Sequence, residues 1–375
     1  MFRASLVLIL AFLPALAEQP AFRLERVHLP VRYVDYEFAV QTTPEGVPKL
    51  DMKLFRSRPA QVVTREREAL VLENRRLRAT VIPSMGRLHS FVHKPSGNEQ
   101  FWINPAAIPI GAHNDTGFWV VWGGMENVMP RGEHGTSHAL RWNHAIESDT
   151  PSHKAVRMWT VEPPTGLEHS ITYAIHSNRR YLEATISIRN PGTRAQRFSN
   201  WTTVLLAPGG LGEITAKTEF IVPAERFVPA DKPFNKWMEP LLGPARTSAL
   251  RFAGSWKGMG DLMATPLERP FYAAYSPEKD EAFVHLLDLA ATPGFNIWTW
   301  GFPLDEKRQR AFTAEPPNAG YAEFWIGTVR DYDDESLKEI GPGQRITWTE
   351  KMCAVGGVRK AKDRERFLER ACEGR

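Results

Sequence analysis

Three side chains in this sequence have the chemistry for proton transfer. Glu323 sits in the run Tyr321–Ala322–Glu323–Phe324–Trp325. An unpaired carboxylate in so apolar and aromatic a strand is costly unless a site uses it. A solvent-facing Glu323, with Ala322 and Phe324 turned inward, is the alternative the same spacing allows. Glu126 follows Gly123 and Gly124, where the backbone can approach a ligand closely. His134 precedes Gly135 in a Pro/Gly loop and is suited either to donating a proton or to bonding loop backbone. A base and an acid on two sides of one pocket can move a proton on and off a hydroxyl.

Aromatic residues surround these positions. The chain has 12 tryptophans, among them Trp119, Trp122, Trp142, Trp201, Trp298, Trp300 and Trp325. An indole face stacks on the C–H face of a sugar ring, and its N–H bonds outward. Most tryptophans in a β-rich chain belong to the core. Trp122 and Trp300 lie beside glycines at expected strand ends and are the two assigned to substrate contact. Arg131 could meet an acidic sugar group. His134, His138 and His144 invite a metal reading, but Pro130, Gly132 and Gly135 oppose the helix that i, i+4 ligands would need. No metal site is expected. Nucleophile elbow, phosphate loop and dinucleotide fingerprint are all missing, so no cofactor is expected either.

The elements that must position these residues are strands. Leu182, Ala184, Ile186 and Ile188 alternate with polar residues, as do Ile171, Tyr173 and Ile175, and Ser177–Arg180 reads as the hairpin loop between them. Similar short strands are predicted at 69–73, 77–82, 87–93, 202–206, 271–275, 282–287, 321–329 and 345–355. The 29 prolines and 27 glycines punctuate them throughout. The clearest helix signal runs from Lys360 to Cys372. So many short strands predict an all-β chain and argue for a large antiparallel sandwich, although periodicity alone does not separate that from a barrel or propeller.

Charge and termini bound the function further. Lys and Arg number 47 against 43 Asp and Glu, a net +4, with no basic surface of the kind that nucleic acid requires. An apolar run from Leu6 to Leu16 follows Arg3, and Ala15–Leu16–Ala17 offers a signal-peptidase site. Residues 1–17 therefore read as a secretion signal, with a retained anchor as the other reading. No later segment is apolar enough to span a membrane, and the expected location is periplasmic or secreted. The remaining chain divides into an extension (18–66), a main β domain (67–357) and a tail (358–375). Cys353 and Cys372 are compatible with one disulfide or two free thiols.

Five blocks in order resemble an uncharacterised bacterial branch of the galactose mutarotase-like superfamily. They are Leu72–Asn74 with Leu77–Pro83 and Met85–Leu88; Trp122–Asn127 with Pro130 and His134; Phe198–Thr203; Pro293–Gly294 with Ile297–Gly301; and Gly320–Gly327 with Gly341–Gly343 and Trp348. Members of that branch often carry tetratricopeptide repeats, which this chain lacks. The resemblance implies a mutarotase-like β-supersandwich over about residues 67–357, with an N-terminal extension and a short C-terminal helix. It implies a carbohydrate partner and a glutamate base at the position of Glu323. It also implies a catalytic histidine after an asparagine, where this chain reads Asn200–Trp201–Thr202. His134–Gly135 is similar to a substrate-contacting His-Gly segment of hexose epimerases. The expectation is an exported carbohydrate-binding protein, either a non-catalytic binder or a sugar-active enzyme with aldose-epimerase-like acid–base chemistry on Glu323, His134 and Glu126. A glycoside hydrolase or lyase, and a non-catalytic envelope scaffold, are the other functions this fold hosts.

Overall fold

The structure, a computed structural model, describes residues 22–373 apart from 132–133, 225, 242–249, 265, 317–319 and 332–335. The expected secretion signal lies outside the described residues. Among those described, no helix is long and apolar enough to cross a membrane.

Strand alternation drives the architecture. In Leu182–Arg189, Leu182, Ala184, Ile186 and Ile188 are all buried in one core, so Glu183 and Thr185 turn outward. Ile175 pairs with Leu182 across the expected hairpin. The same logic builds an 8-stranded antiparallel sheet in the order 143–149, 153–161, 168–176, 182–189, 345–356, 281–286, 271–276, 219–221. A larger, 11-stranded sheet runs 23–34, 62–73, 77–82, 87–93, 125–128, 201–206, 322–327, 294–299, 260–264, 227–229, with 98–99 paired to 87–93. The two sheets stack. Leu72, Leu88, Met125, Val204, Phe324 and Ile326 from the larger meet Val156, Ile171, Ile186, Phe283 and Trp348 from the smaller. Apolar faces that cannot both meet water leave this sandwich as the stable packing.

The segment before residue 67 contributes a strand of its own. Arg23–Val34 pairs with Val62–Glu73 through twelve residue pairs and forms the edge of the larger sheet. The tail folds back at the other end of the chain. Cys353 and Cys372 form a disulfide with Cα atoms 5.5 Å apart. The helical turn Arg364–Glu369, capped by the Asp363 carboxylate, seats Leu368 against the smaller sheet beside Phe271 and Val284. The helix is shorter than the Lys360–Cys372 expectation.

Candidate functional site

The face of the larger sheet turned away from the core carries polar and aromatic side chains in rows. In Ala322–Gly327, Ala322, Phe324 and Ile326 enter the core, so Glu323 and Trp325 point to the other side. Register sets their neighbours. Arg87 lies opposite Glu126, Glu126 opposite Thr203, Thr203 opposite Trp325, and Trp325 opposite Asn296. The adjacent row runs Leu205, Glu323, Trp298, Asp261.

A cavity of about 290 Å³ opens over the second row. Glu323, Trp298 and Asp261 line its sheet side, with Trp325, Tyr321 and Trp300 beside them. The small hairpin of strands Pro109–Gly111 and Phe118–Val120 adds Ile110 and Trp119. His134 enters from its loop, and Lys232 and Phe234 close the far wall. Small-molecule sites run from roughly 300 to 1,000 Å³, so this one suits a single ring rather than a long chain.

Glu323 is 7% exposed. Trp325 Nε1 donates to its Oε2 at 2.9 Å. Burial pushes the carboxyl up to about 7; His134, Trp325 and Tyr321 pull it back, while the charge of Glu126 adds to the rise. A carboxyl at that value takes and returns a proton near neutrality.

Glu126 behaves in the opposite way. Burial alone would raise it, but Arg87, His134 and His138 outweigh that and hold it down at about 2. Arg87 Nη2 pairs with Glu126 Oε2, and Arg87 Nη1 donates to the Gly123 carbonyl at 2.6 Å. Glu126 stands one row back from the cavity wall.

His134 is held by its loop and by two rings. Its φ is 71°, a left-handed conformation that costs a non-glycine residue about 1–2 kcal/mol. Gly135 follows at φ 45°, and a Cβ there would lie 2.3 Å from the Met129 carbonyl oxygen. The Thr136 and Ser137 amides donate to that same carbonyl at 2.9 and 3.1 Å. The imidazole stacks on Trp119 with centroids 4.6 Å apart and stands edge-on to Trp325 at 5.3 Å. Its Nδ1 is 3.9 Å from Glu126 Oε1, too far for a direct hydrogen bond.

The structure therefore brings Glu323, His134 and Trp300 to one cavity, with Glu126 behind His134. Two expected substrate contacts lie elsewhere. Trp119 and Val121 face the cavity, so the alternating chain sends Trp122 the other way, edge-on to Tyr33 at 5.4 Å. Arg131 is exposed and is not part of the cavity wall. Trp201 is fully buried against Val128 and Trp325. Of the three histidines of the metal reading, His134 and His138 stand edge-on with centroids 6.4 Å apart, His138 meeting Thr116 Oγ1 at 3.2 Å, whereas His144 pairs elsewhere with Glu68 at 3.0 Å. Among the described residues no group of His, Cys, Asp and Glu is arranged to hold a metal. Arg87 and Asp261 escaped the reading of the sequence because register across strands brings them in, and Lys232 because it arrives on the segment between Phe227–Pro229 and the helical turns Pro233–Leu241. Alternation about Glu323 was the signal that could have placed Trp325.

A model of a family described as a domain of unknown function, DUF5107, matches residues 51–350. No curated protein matches the chain. Solved structures share its fold. A TPR-domain containing protein from Parabacteroides distasonis is 18% identical with a TM-score of 0.71; the match covers 90% of this chain and 56% of that one. This chain thus spans little more than half of that relative. A Klebsiella pneumoniae protein provisionally assigned as an aldose 1-epimerase is 12% identical (93% and 96% covered, TM-score 0.60). A galactose mutarotase-like protein from Clostridium acetobutylicum is 10% identical (78% and 96% covered, TM-score 0.53). The fold is galactose mutarotase-like, and at these identities the likeness concerns the fold alone.

Proposed function

The chain belongs to the DUF5107 family, and from its cavity we propose that it binds one sugar ring and interconverts the anomers, with Glu323 as base and His134 as acid. One observation carries this reading: a buried carboxyl held near neutrality beside an imidazole in a cavity walled by indoles. Trp298, Trp300 and Trp119 offer flat faces for the C–H surface of a pyranose. Glu323 takes the proton from the anomeric hydroxyl. His134 gives one to the ring oxygen as the C1–O5 bond breaks. Rotation about C1–C2 and the reverse transfers reclose the ring in the other configuration, with no net change in protons. Hydrolysis by two carboxylates is less favoured, because Glu126 is paired with Arg87 and is not part of the cavity wall, which leaves Glu323 as the one glutamate facing a ring there. We further propose that the protein works outside the cytoplasm; the apolar stretch at 6–16 and the disulfide, which suits an oxidising compartment, support this.

Anomeric proton exchange by NMR, over a panel of aldoses and uronates, tests the reading. The wild type should accelerate exchange for at least one sugar. Glu323→Gln should lower that rate by roughly 100-fold or more with an unchanged circular dichroism spectrum. Broadened sugar signals with no exchange would make the protein a binder without catalysis. Silence across the panel would end the sugar reading.

A further inference from the structure

The last helical turn, Arg364–Glu369, sorts its charges by face. Its acidic residues are all engaged. Glu365 and Glu369 both pair with Arg269, and the Asp363 carboxylate caps the turn by accepting from the Arg366 amide at 3.0 Å. Arg364 pairs with Glu219 at 2.7 Å. Lys362, Arg366 and Arg370 are exposed, and no carboxylate among the described residues forms an ion pair with them. The Arg370 amide donates to the Arg366 carbonyl at 3.4 Å, so these two arginines share one helix face. Like charges at that spacing repel, so the turn gains no stability from the pair.

The three cations line a hollow of about 390 Å³, to which the hairpin loop at 177–180 adds Arg180. Asp363 is the one carboxylate in its wall, and Phe367 is its aromatic surface. That ring is half-buried and packs on the cluster of Cys353, Val358 and Leu368, beside the disulfide that ties the tail down. Next to Arg370 the surface turns acidic, with Glu183 and Glu373 in the neighbouring hollow. The cations therefore form a short stripe along a groove, not a broad basic face.

We propose that this hollow is a binding site for an acidic polysaccharide, held through its uronate units and separate from the cavity on the larger sheet. A uronate unit has an apolar C–H face and one carboxylate. Phe367 suits the first, and the guanidinium forks of Arg366 and Arg370 suit the second. Four residues along a helix rise about 6 Å, so neighbouring carboxylates of one chain can meet neighbouring cations. An anionic bilayer fits less well. A plane does not enter a hollow, and it would also press on Glu183 and Glu373. The tail packs on the smaller sheet, so a bound chain leaves the cavity open. The site stands whether or not the cavity turns over sugar.

The test follows fluorescein-labelled oligogalacturonate by anisotropy as the full chain is added, at about 0.15 M salt, where exposed charges are largely screened. The wild type should bind it. Arg366→Gln with Arg370→Gln should weaken binding about tenfold or more. Both side chains are exposed, so this variant should fold as the wild type does and keep its anomer exchange. Arg366→Lys with Arg370→Lys keeps the charge but not the fork, and should recover only part of the affinity. No binding by the wild type, or equal affinity in the wild type and the glutamine variant, overturns the proposal. Equal affinity for polyglutamate overturns it as well, since the stripe would then be a charged surface without preference for sugar. Binding to phosphatidylglycerol vesicles in place of the oligosaccharide would make the tail a membrane contact and also overturns it. If the wild type exchanges no anomers, the cavity reading fails, and the anisotropy still decides the tail site.

Discussion

At the residue scale, two glutamates in one site are driven in opposite directions by their surroundings. Glu323 lies among aromatic side chains, and burial dominates it. Glu126 meets Arg87 and is held ionised. The first has a consequence for stability. The Glu323 carboxyl ionises near its ordinary 4.5 when unfolded and near 7 when folded, so the native state keeps the proton across that window. Stability is therefore lost as pH rises from about 4.5 to 7, by about 3 kcal/mol in all. Glu323→Gln keeps an acceptor for Trp325 and carries no charge. Its urea midpoint should exceed that of the wild type near pH 8 and match it near pH 4. Equal midpoints at both values would show that Glu323 is ionised without cost.

At the scale of elements, one strand separates the aldose-epimerase pattern from this chain. Trp201 stands where the resemblance expects a histidine. It is fully buried, and Gly327 and Gly294 make room for its ring: a Cβ on Gly327 would come within 2.6 Å of the indole. The strand has been packed around this tryptophan, and the imidazole of the site comes instead from the loop after Met125–Val128. Trp201→His should then cost about 3 kcal/mol in urea unfolding, through the void it leaves. It should add no anomer exchange. A faster rate in that variant would return the acid to the Trp201 strand. The alternation of Ala322–Gly327 was readable from sequence, and it offered two faces for Glu323. The structure chose the face opposite the core, where the Trp119 hairpin and the Phe234 segment cover the sheet. That face is neither core nor open solvent.

At the scale of the molecule, the chain is closed by a single covalent tie. Cys353 is in the long strand Arg345–Gly356, and Cys372 follows the last helical turn, 19 residues on. Constraining a loop of this length stabilises by about 3 kcal/mol in the chain-entropy account. Cys353→Ser with Cys372→Ser should lower the urea unfolding free energy by about that amount. Anomer exchange should be little changed, because the tail packs on the smaller sheet and the cavity opens on the larger. Loss of exchange at full folding would show that the two sheets are coupled.

Composition and strand period were enough to determine an all-β chain, because alternation records which face of each strand is buried, but they did not separate a sandwich from a barrel or propeller. Ordered blocks from Leu72 to Trp348 carried the mutarotase-like resemblance, and a glutamate in an aromatic strand marked the cavity. Only the tertiary structure decided which tryptophans line it. Trp122 and Trp119 are three residues apart, and the turn of the chain sends one to Tyr33 and the other to His134. Only register decided that Arg87 faces Glu126 and that Asp261 shares a row with Glu323. Local sequence encodes which face a side chain takes; pairing between strands distant in the chain decides what it meets there, and the charge of a buried carboxyl depends on that neighbour.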